Sequence, residues 1–189
     1  AGSTTPAYAA AATNPFGLMG VGYSASPDFA DIDGDGDLDA FIGNIYGNTL
    51  FFRNTAAAGS TTPVYAAAAT NPFGLADVGF WASPELVDID RDGDLDAFIG
   101  SSDGNTLFFR NTAAAGSTSP AYAAPVANPF GLVDVGSFAR PSFADIDGDG
   151  DLDTFIGERY GNTLFFRNTT AAGSTTPAYA AAATNPFGL

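Results

Sequence analysis

Five aspartates occupy alternate positions from Asp31 to Asp39, separated by Ile32, Gly34, Gly36 and Leu38. Carboxylates this crowded raise one another's pKa or force the segment open unless a cation sits among them. The side chains offer oxygen alone. Calcium takes about six to eight oxygens in a flexible cage, whereas zinc draws on His or Cys, neither of which the chain contains. Magnesium fits less well, because it keeps several waters and demands a stricter geometry. The string recurs at Asp88–Asp96, with Arg91 in place of Gly34, and at Asp145–Asp153.

The opening Asp31-x-Asp33-x-Asp35-Gly36 matches the start of an EF-hand loop, turn glycine included. The ending does not match. Where that loop carries a bidentate Glu, this chain has Ile42, Ile99 and Ile156, and the flanks read as strands rather than helices. The pattern therefore assigns side-chain ligation to Asp31, Asp33, Asp35 and Asp39, with a backbone carbonyl from Asp37. The same offsets assign Asp88, Asp90, Asp92 and Asp96 with Asp94, and Asp145, Asp147, Asp149 and Asp153 with Asp151. One Ca2+ per loop makes three. An acidic turn that merely solubilises is the competing reading, and three copies with Gly36, Gly93 and Gly150 in register weigh against it. The Arg91 side chain is expected to point outward.

These loops sit in a repeat. Asp31, Asp88 and Asp145 are 57 residues apart, and so are Ala1, Ala58, Ala115 and Ala172, each of which opens an Ala-Gly-Ser-Thr segment. The units are 1–57, 58–114 and 115–171, with a partial fourth at 172–189 that repeats the first eighteen residues. In each unit, turn signals separate four β-prone runs: Pro27–Asp33, Leu38–Gly43, Thr49–Thr55 and Pro63–Ala69 in the first. Alternation places Leu38, Ala40 and Ile42 opposite Phe41, and Leu50 and Phe52 opposite Phe51 and Arg53, so both faces of the sheet are apolar. Such a sheet must be sandwiched between neighbours. The expected fold is all-β: tandem four-stranded antiparallel blades with a calcium loop between the first two strands of each.

The string Pro27-Asp28-Phe29-Ala30-Asp31 through Asn44, followed by Gly47-Asn48-Thr49-Leu50-Phe51-Phe52-Arg53-Asn54-Thr55, resembles the FG-GAP and VCBS repeats of bacterial surface and secreted proteins, relatives of the integrin α propeller. The resemblance covers the whole chain. It implies propeller-type blades with calcium in the loop joining the first two strands, an extracellular, secreted or cell-surface setting, and roles in adhesion or assembly. Propellers generally close with about four to eight blades. Three loops and four copies of the last strand point instead to an open array, a fibre, or part of a larger or multi-chain propeller, with the surplus copy at 172–189. The chain starts at Ala1 without a signal peptide, as expected of a processed or excised product.

Composition removes other classes. The net charge is −15, with six Arg and no Lys or His, so no basic face for nucleic acid can be assembled. Without Cys there are no disulfides or thiolate sites. No apolar run approaches the roughly 18 to 20 residues that span a bilayer. Seventeen Phe and seven Tyr at regular intervals argue for a folded chain despite the acidity. Nothing resembles a catalytic site, since carboxylates outside the loops, Asp28, Glu85 and Glu158 among them, fall at variable positions.

Units one and two differ mainly around Met19–Ala30 and Asn44–Tyr46. In an up-and-down blade both windows lie at one end, which would display Tyr23, Tyr46, Trp81, Phe138, Arg140, Glu158 and Arg159, although drift in exposed loops explains the variation as well. Arg53, Arg110 and Arg167 are expected to pair with nearby carboxylates or carbonyls. Thr5-Pro6, Thr62-Pro63, Ser119-Pro120 and Thr176-Pro177 could carry O-linked sugars or simply make rigid turns, and Asn168 is the only N-linked sequon. Two functions follow. One is a calcium-stabilised structural repeat of an extracellular adhesin or self-assembling fibre, which associates with further repeats or copies. The other is an integrin-like binding module that recognises a glycan or protein through the variable end.

Overall fold

A computed structural model describes residues 8–114, 116–171 and 174–188; Thr5-Pro6 and the unit boundaries at Ala1, Ala115 and Ala172 lie outside them. Among the described residues, twelve strands form three antiparallel sheets, each in simple sequence order. The first contains β1 (Ser26–Ala30), β2 (Asp39–Gly43), β3 (Thr49–Phe52) and β4 (Ala69–Thr70). The second contains β5 (Ser83–Val87), β6 (Asp96–Gly100), β7 (Thr106–Phe109) and β8 (Val126–Ala127). The third contains β9 (Arg140–Ala144), β10 (Asp153–Gly157), β11 (Thr163–Phe166) and β12 (Ala183–Thr184).

The strands differ from the sequence expectation in the fourth and first runs. The fourth run of each unit is not a continuous strand over Pro63–Ala69. It makes a bridge at Tyr65, opposite Asn54, and then the two-residue β4, whose Ala69 faces Phe51. Three steps from Phe51 to Asn54 thus oppose four from Tyr65 to Ala69, which is one extra residue and hence a bulge. A run of alanines supplies no large side chain to mark it. The first run also ends earlier, at Ala30, so Asp31 and Asp33 belong to the acidic loop.

The surplus copy also lies elsewhere than expected. The C-terminal segment is not surplus, because β12 pairs with β11 and completes the third sheet. Of the N-terminal copy, the described residues from Tyr8 onward join no sheet, and Ala12 and Thr13 belong to no strand.

The sheets stack in sequence, β1 beside β5 and β5 beside β9, as the apolar character of both faces requires. Phe41 and Phe51 of the first sheet pack with Ile99 and Phe109 of the second. Phe98 and Phe108 of the second pack in the same way with Ile156 and Phe166 of the third. The five residues of β2 and of β6 are buried throughout. Close approach is enforced at Gly43 and Gly100, where a Cβ would lie 2.1 Å from the Ala82 carbonyl and 2.0 Å from the Ala139 carbonyl. The linker between sheets then hydrogen-bonds to the preceding sheet's turn, Trp81 N–H to the Ile45 carbonyl and Ala82 N–H to that of Asn44, both at 3.0 Å. No helix among the described residues is long and apolar enough to cross a membrane.

Candidate metal centre

The first aspartate of each loop folds it. Asp31 accepts the N–H groups of Gly34 (2.9 Å) and Asp35 (3.1 Å) on Oδ1 and that of Gly36 (3.0 Å) on Oδ2. Asp88 holds Asp92 and Gly93, and Asp145 holds Gly148 and Gly150, at 2.8–3.1 Å. Gly36, Gly93 and Gly150 take φ values of 90°, 93° and 90°, a left-handed turn that other residues adopt only under strain. Each fifth-position carboxylate then accepts the next aspartate's N–H, as in Asp37 to Asp35 at 3.0 Å.

The folded loop brings three carboxylates together. Asp31, Asp33 and Asp35 each offer an oxygen within 4.8 Å of the others', as do Asp88, Asp90 and Asp92, and Asp145, Asp147 and Asp149. Asp37, Asp94 and Asp151 are not in these groups, nor are the ninth-position residues Asp39, Asp96 and Asp153. The ninth residue stands at the start of a central strand with 1–2 % of its surface exposed. One of its oxygens is engaged by the strand opposite: Asn54 N–H donates to Asp39 Oδ1 at 2.6 Å, Asn111 to Asp96 and Asn168 to Asp153 at 2.7 Å. The other oxygen, Oδ2, is buried in all three residues with no hydrogen-bond partner, and so is Asp90 Oδ1.

A buried carboxylate oxygen without a donor is costly while charged, and the pKa values respond accordingly. Burial raises Asp39 to about 6, with the charges of Asp33 and Asp35 adding to it and the Asn54 amide and Arg53 opposing it. Asp96 rises to about 7, mainly through burial and then through Asp90 and Asp92, against the opposing Asn111 amide and Arg110. Asp153 shifts the same way for the same leading reason. Each loop therefore has the donors that a hard divalent cation fits: three converging carboxylates and a fourth with an oxygen in need of a partner.

Arginine offsets part of the charge. Arg53, Arg110 and Arg167 form ion pairs with Asp33, Asp90 and Asp147, the third-position residues, as expected of a repeated strand arginine. With five aspartates in each loop, these arginines leave every loop negative, the second included although it carries Arg91 as well. Arg91 behaves differently from the sequence expectation. Its guanidinium crosses to the third loop and meets the Gly150 carbonyl and the Asp151 carboxylate. No local signal announces that contact, because Asp151 is 60 residues away.

At the opposite end of the sheets the variable residues do converge. Trp81 and Phe138 meet edge to face at 4.6 Å, and the Arg159 guanidinium carbon lies 5.0 Å from the Phe138 ring centre. A cavity of about 180 Å³ runs beside them, lined by Ser24, Ser83 and Arg140 among others. Asp28 and Glu85, scattered in sequence, occupy equivalent positions on the adjacent strands β1 and β5. Both Asp28 oxygens are committed to backbone, Oδ1 to Phe29 N–H (2.9 Å) and Oδ2 to Leu86 N–H (2.7 Å), which is a structural use.

Fold and loops together define a tandem repeat of four-stranded sheets, each with an acidic, cation-competent loop between its first two strands. The model of the FG-GAP-like repeat matches the chain over residues 31–99 and 88–156. The chain belongs to that family. Each match begins on the first aspartate of a loop and ends in the second strand of the following sheet, so the family pattern spans the sheet-to-sheet junction. No curated protein matches the chain.

Proposed function

We propose that the chain is a calcium-stabilised structural repeat of an extracellular adhesin or self-assembling surface fibre. The observation that carries this reading is the unpartnered buried oxygen of Asp39, Asp96 and Asp153, repeated beside three converging carboxylates. Calcium answers all of it: a hard cation, oxygen donors only, and a cage flexible enough to take carboxylates from a loop and from a strand end. Three ions bind, one per loop, with the backbone carbonyls of Asp37, Asp94 and Asp151 completing the oxygen set. A bound ion supplies charge neutralisation and ties the loop to the sheet; the chain's residues do the rest by fixing the loop in its bound shape.

The same chemistry supports an extracellular setting. Loops this exposed suit the weak affinities of extracellular modules, with dissociation constants of roughly 10⁻⁴ to 10⁻³ M, which external calcium keeps filled. Without Cys, metal is the remaining covalent-like staple. The exposed hydroxyls of Thr62, Ser119 and Thr176 leave room for O-linked sugars. Isothermal titration of the metal-free chain tests the site: three calcium ions bind, and magnesium binds more weakly. A stoichiometry of zero or one would remove the reading.

A second reading rests on Trp81 and Phe138, whose rings meet edge to face and line a polar cavity together with Arg140. Aromatic faces beside hydroxyl and arginine donors suit a glycan or an acidic peptide. Screening immobilised glycans against the wild type and Trp81→Ala separates this adhesive role from a purely structural one.

A further inference from the structure

Each internal junction has a staple. The Pro-Phe-Gly turn that follows β4 sets Phe73 edge to face against Phe51, with ring centres 5.1 Å apart, and accepts the N–H of Tyr122 from the second sheet at 2.8 Å. The turn after β8 repeats this with Phe130, Phe108 and Tyr179. At the ends of the chain the staple is split into halves. Phe187 meets Phe165 edge to face at 5.3 Å but is 74 % exposed. Phe16 accepts the Tyr65 N–H at 2.8 Å while its ring is 51 % exposed.

The two half-staples have one sequence. Residues 8–17 and 179–188 both read Tyr-Ala-Ala-Ala-Ala-Thr-Asn-Pro-Phe-Gly. They also share a backbone: φ is 46° at Asn14 and 47° at Asn185, 61° at Phe16 and 60° at Phe187. Their surroundings differ. Tyr179 is 8 % exposed and bridges Asn168, whereas Tyr8 is 93 % exposed. Ala183 and Thr184 pair with Phe165 and Leu164, whereas Ala12 and Thr13 belong to no strand.

We propose that the chain joins head to tail with a second copy of itself, residues 8–17 of one copy taking the place of residues 179–188 on the third sheet of the other. The exchange is neutral in hydrogen bonds, because identical residues replace one another on β11. What it gains is burial. The apolar face of the third sheet, with Ile146, Phe155 and Phe165, is open, while Ile89, Phe98 and Phe108 at the same positions of the second sheet are buried against the third. Phe29, exposed at the other end of the stack, stands where Phe143 stands in packing on Phe98 at 4.5 Å. Docking the first sheet of one copy on the third of another puts Phe29 on Phe155 and rebuilds the internal junction.

Gly157 is an independent mark of the same interface. Its counterparts Gly43 and Gly100 lack a Cβ because the Ala82 and Ala139 carbonyls of the next sheet occupy that space, yet around Gly157 nothing lies within 4 Å. In the joined pair the Ala25 carbonyl of the second copy fills it.

The proposal rests on the structural-repeat reading for its biological sense, and its test is independent of calcium affinity. Sedimentation velocity of the 189-residue chain in calcium, after incubation at rising concentrations, should show a ladder of head-to-tail oligomers. Gly157→Ala should melt like the wild type, since its Cβ meets nothing within one copy, while its association weakens about tenfold or more through the clash with the Ala25 carbonyl. Tyr8→Ala, altering a side chain in solvent, should also keep the melt and lose association. Tyr179→Ala, which loosens the resident segment, should favour exchange. A wild type that stays monomeric at every concentration overturns the proposal, as does a Gly157→Ala chain that associates like the wild type; calcium binding by a monomer leaves the structural-repeat reading standing.

Discussion

Arg91, in the second acidic loop, makes its ion pair with Asp151 of the third. Two acidic loops that repel each other are thereby linked by one positively charged side chain. Removing it frees a carboxylate in the third loop and takes a positive charge from the second. Arg91→Gly, which restores the residue found in the other loops, should tighten calcium binding at those two loops. Stability without calcium should change little, by about 0–1 kcal/mol for a pair in which Arg91 is half exposed. Titration calorimetry on wild type and variant reads both.

The ninth-position aspartates predict a crossover. Asp96→Asn keeps the shape of the side chain but removes a buried charge whose Oδ2 has no partner. In chelator the variant should be as stable as the wild type or more so, because an uncompensated carboxylate is gone. In calcium the order reverses, and the stoichiometry falls from three ions to two. Paired melts with and without metal check it.

Between Asp28 and Glu85 the expected effect is on pH dependence. Burial, reinforced by the Asp28 charge and opposed by the Phe143 amide, raises Glu85 from 4.5 to about 7. Asp28 is raised too, first by burial. A carboxyl whose folded pKa lies above its unfolded value stabilises the fold below the unfolded pKa, and the contribution is lost as pH rises through the folded one. Glu85→Gln should therefore gain in melting temperature relative to the wild type between about pH 4.5 and 7. A constant difference across that range would contradict the assignment.

Phe98 is fully buried where the second and third sheets meet, against Phe108 and Phe143. Phe98→Ala should lower stability by about 3–5 kcal/mol, the usual range for a buried ring truncated in a core. The corresponding Phe155→Ala, at the open face, should cost a single chain much less. Chemical denaturation of both variants at low concentration gives the comparison.

The acidic loops, the 57-residue period and the stacking of sheets apolar on both sides are legible in the residues, because aspartate spacing and strand alternation are local patterns. The fate of the fourth strand is not. Ala66–Ala69 carries no alternation to reveal a bulge, and the choice between the N-terminal and C-terminal copies as the unpaired one depends on which Phe-Phe strand each segment meets. Arg53, Arg110 and Arg167 were predictable as pair formers from their repetition. Arg91 was not, because its partner lies in another unit, and neither was the convergence of Asp28 and Glu85, which only the juxtaposition of β1 and β5 creates.

Calorimetric unfolding of the chain in millimolar calcium and in chelator shows whether bound ions hold the fold together. Ions that bind the folded state alone add about RT ln(1 + [L]/Kd) each, roughly 2.7 kcal/mol when calcium stands a hundredfold above Kd. The account predicts one cooperative transition, shifted upward by calcium and returned by chelator. Identical transitions in the two conditions would contradict it.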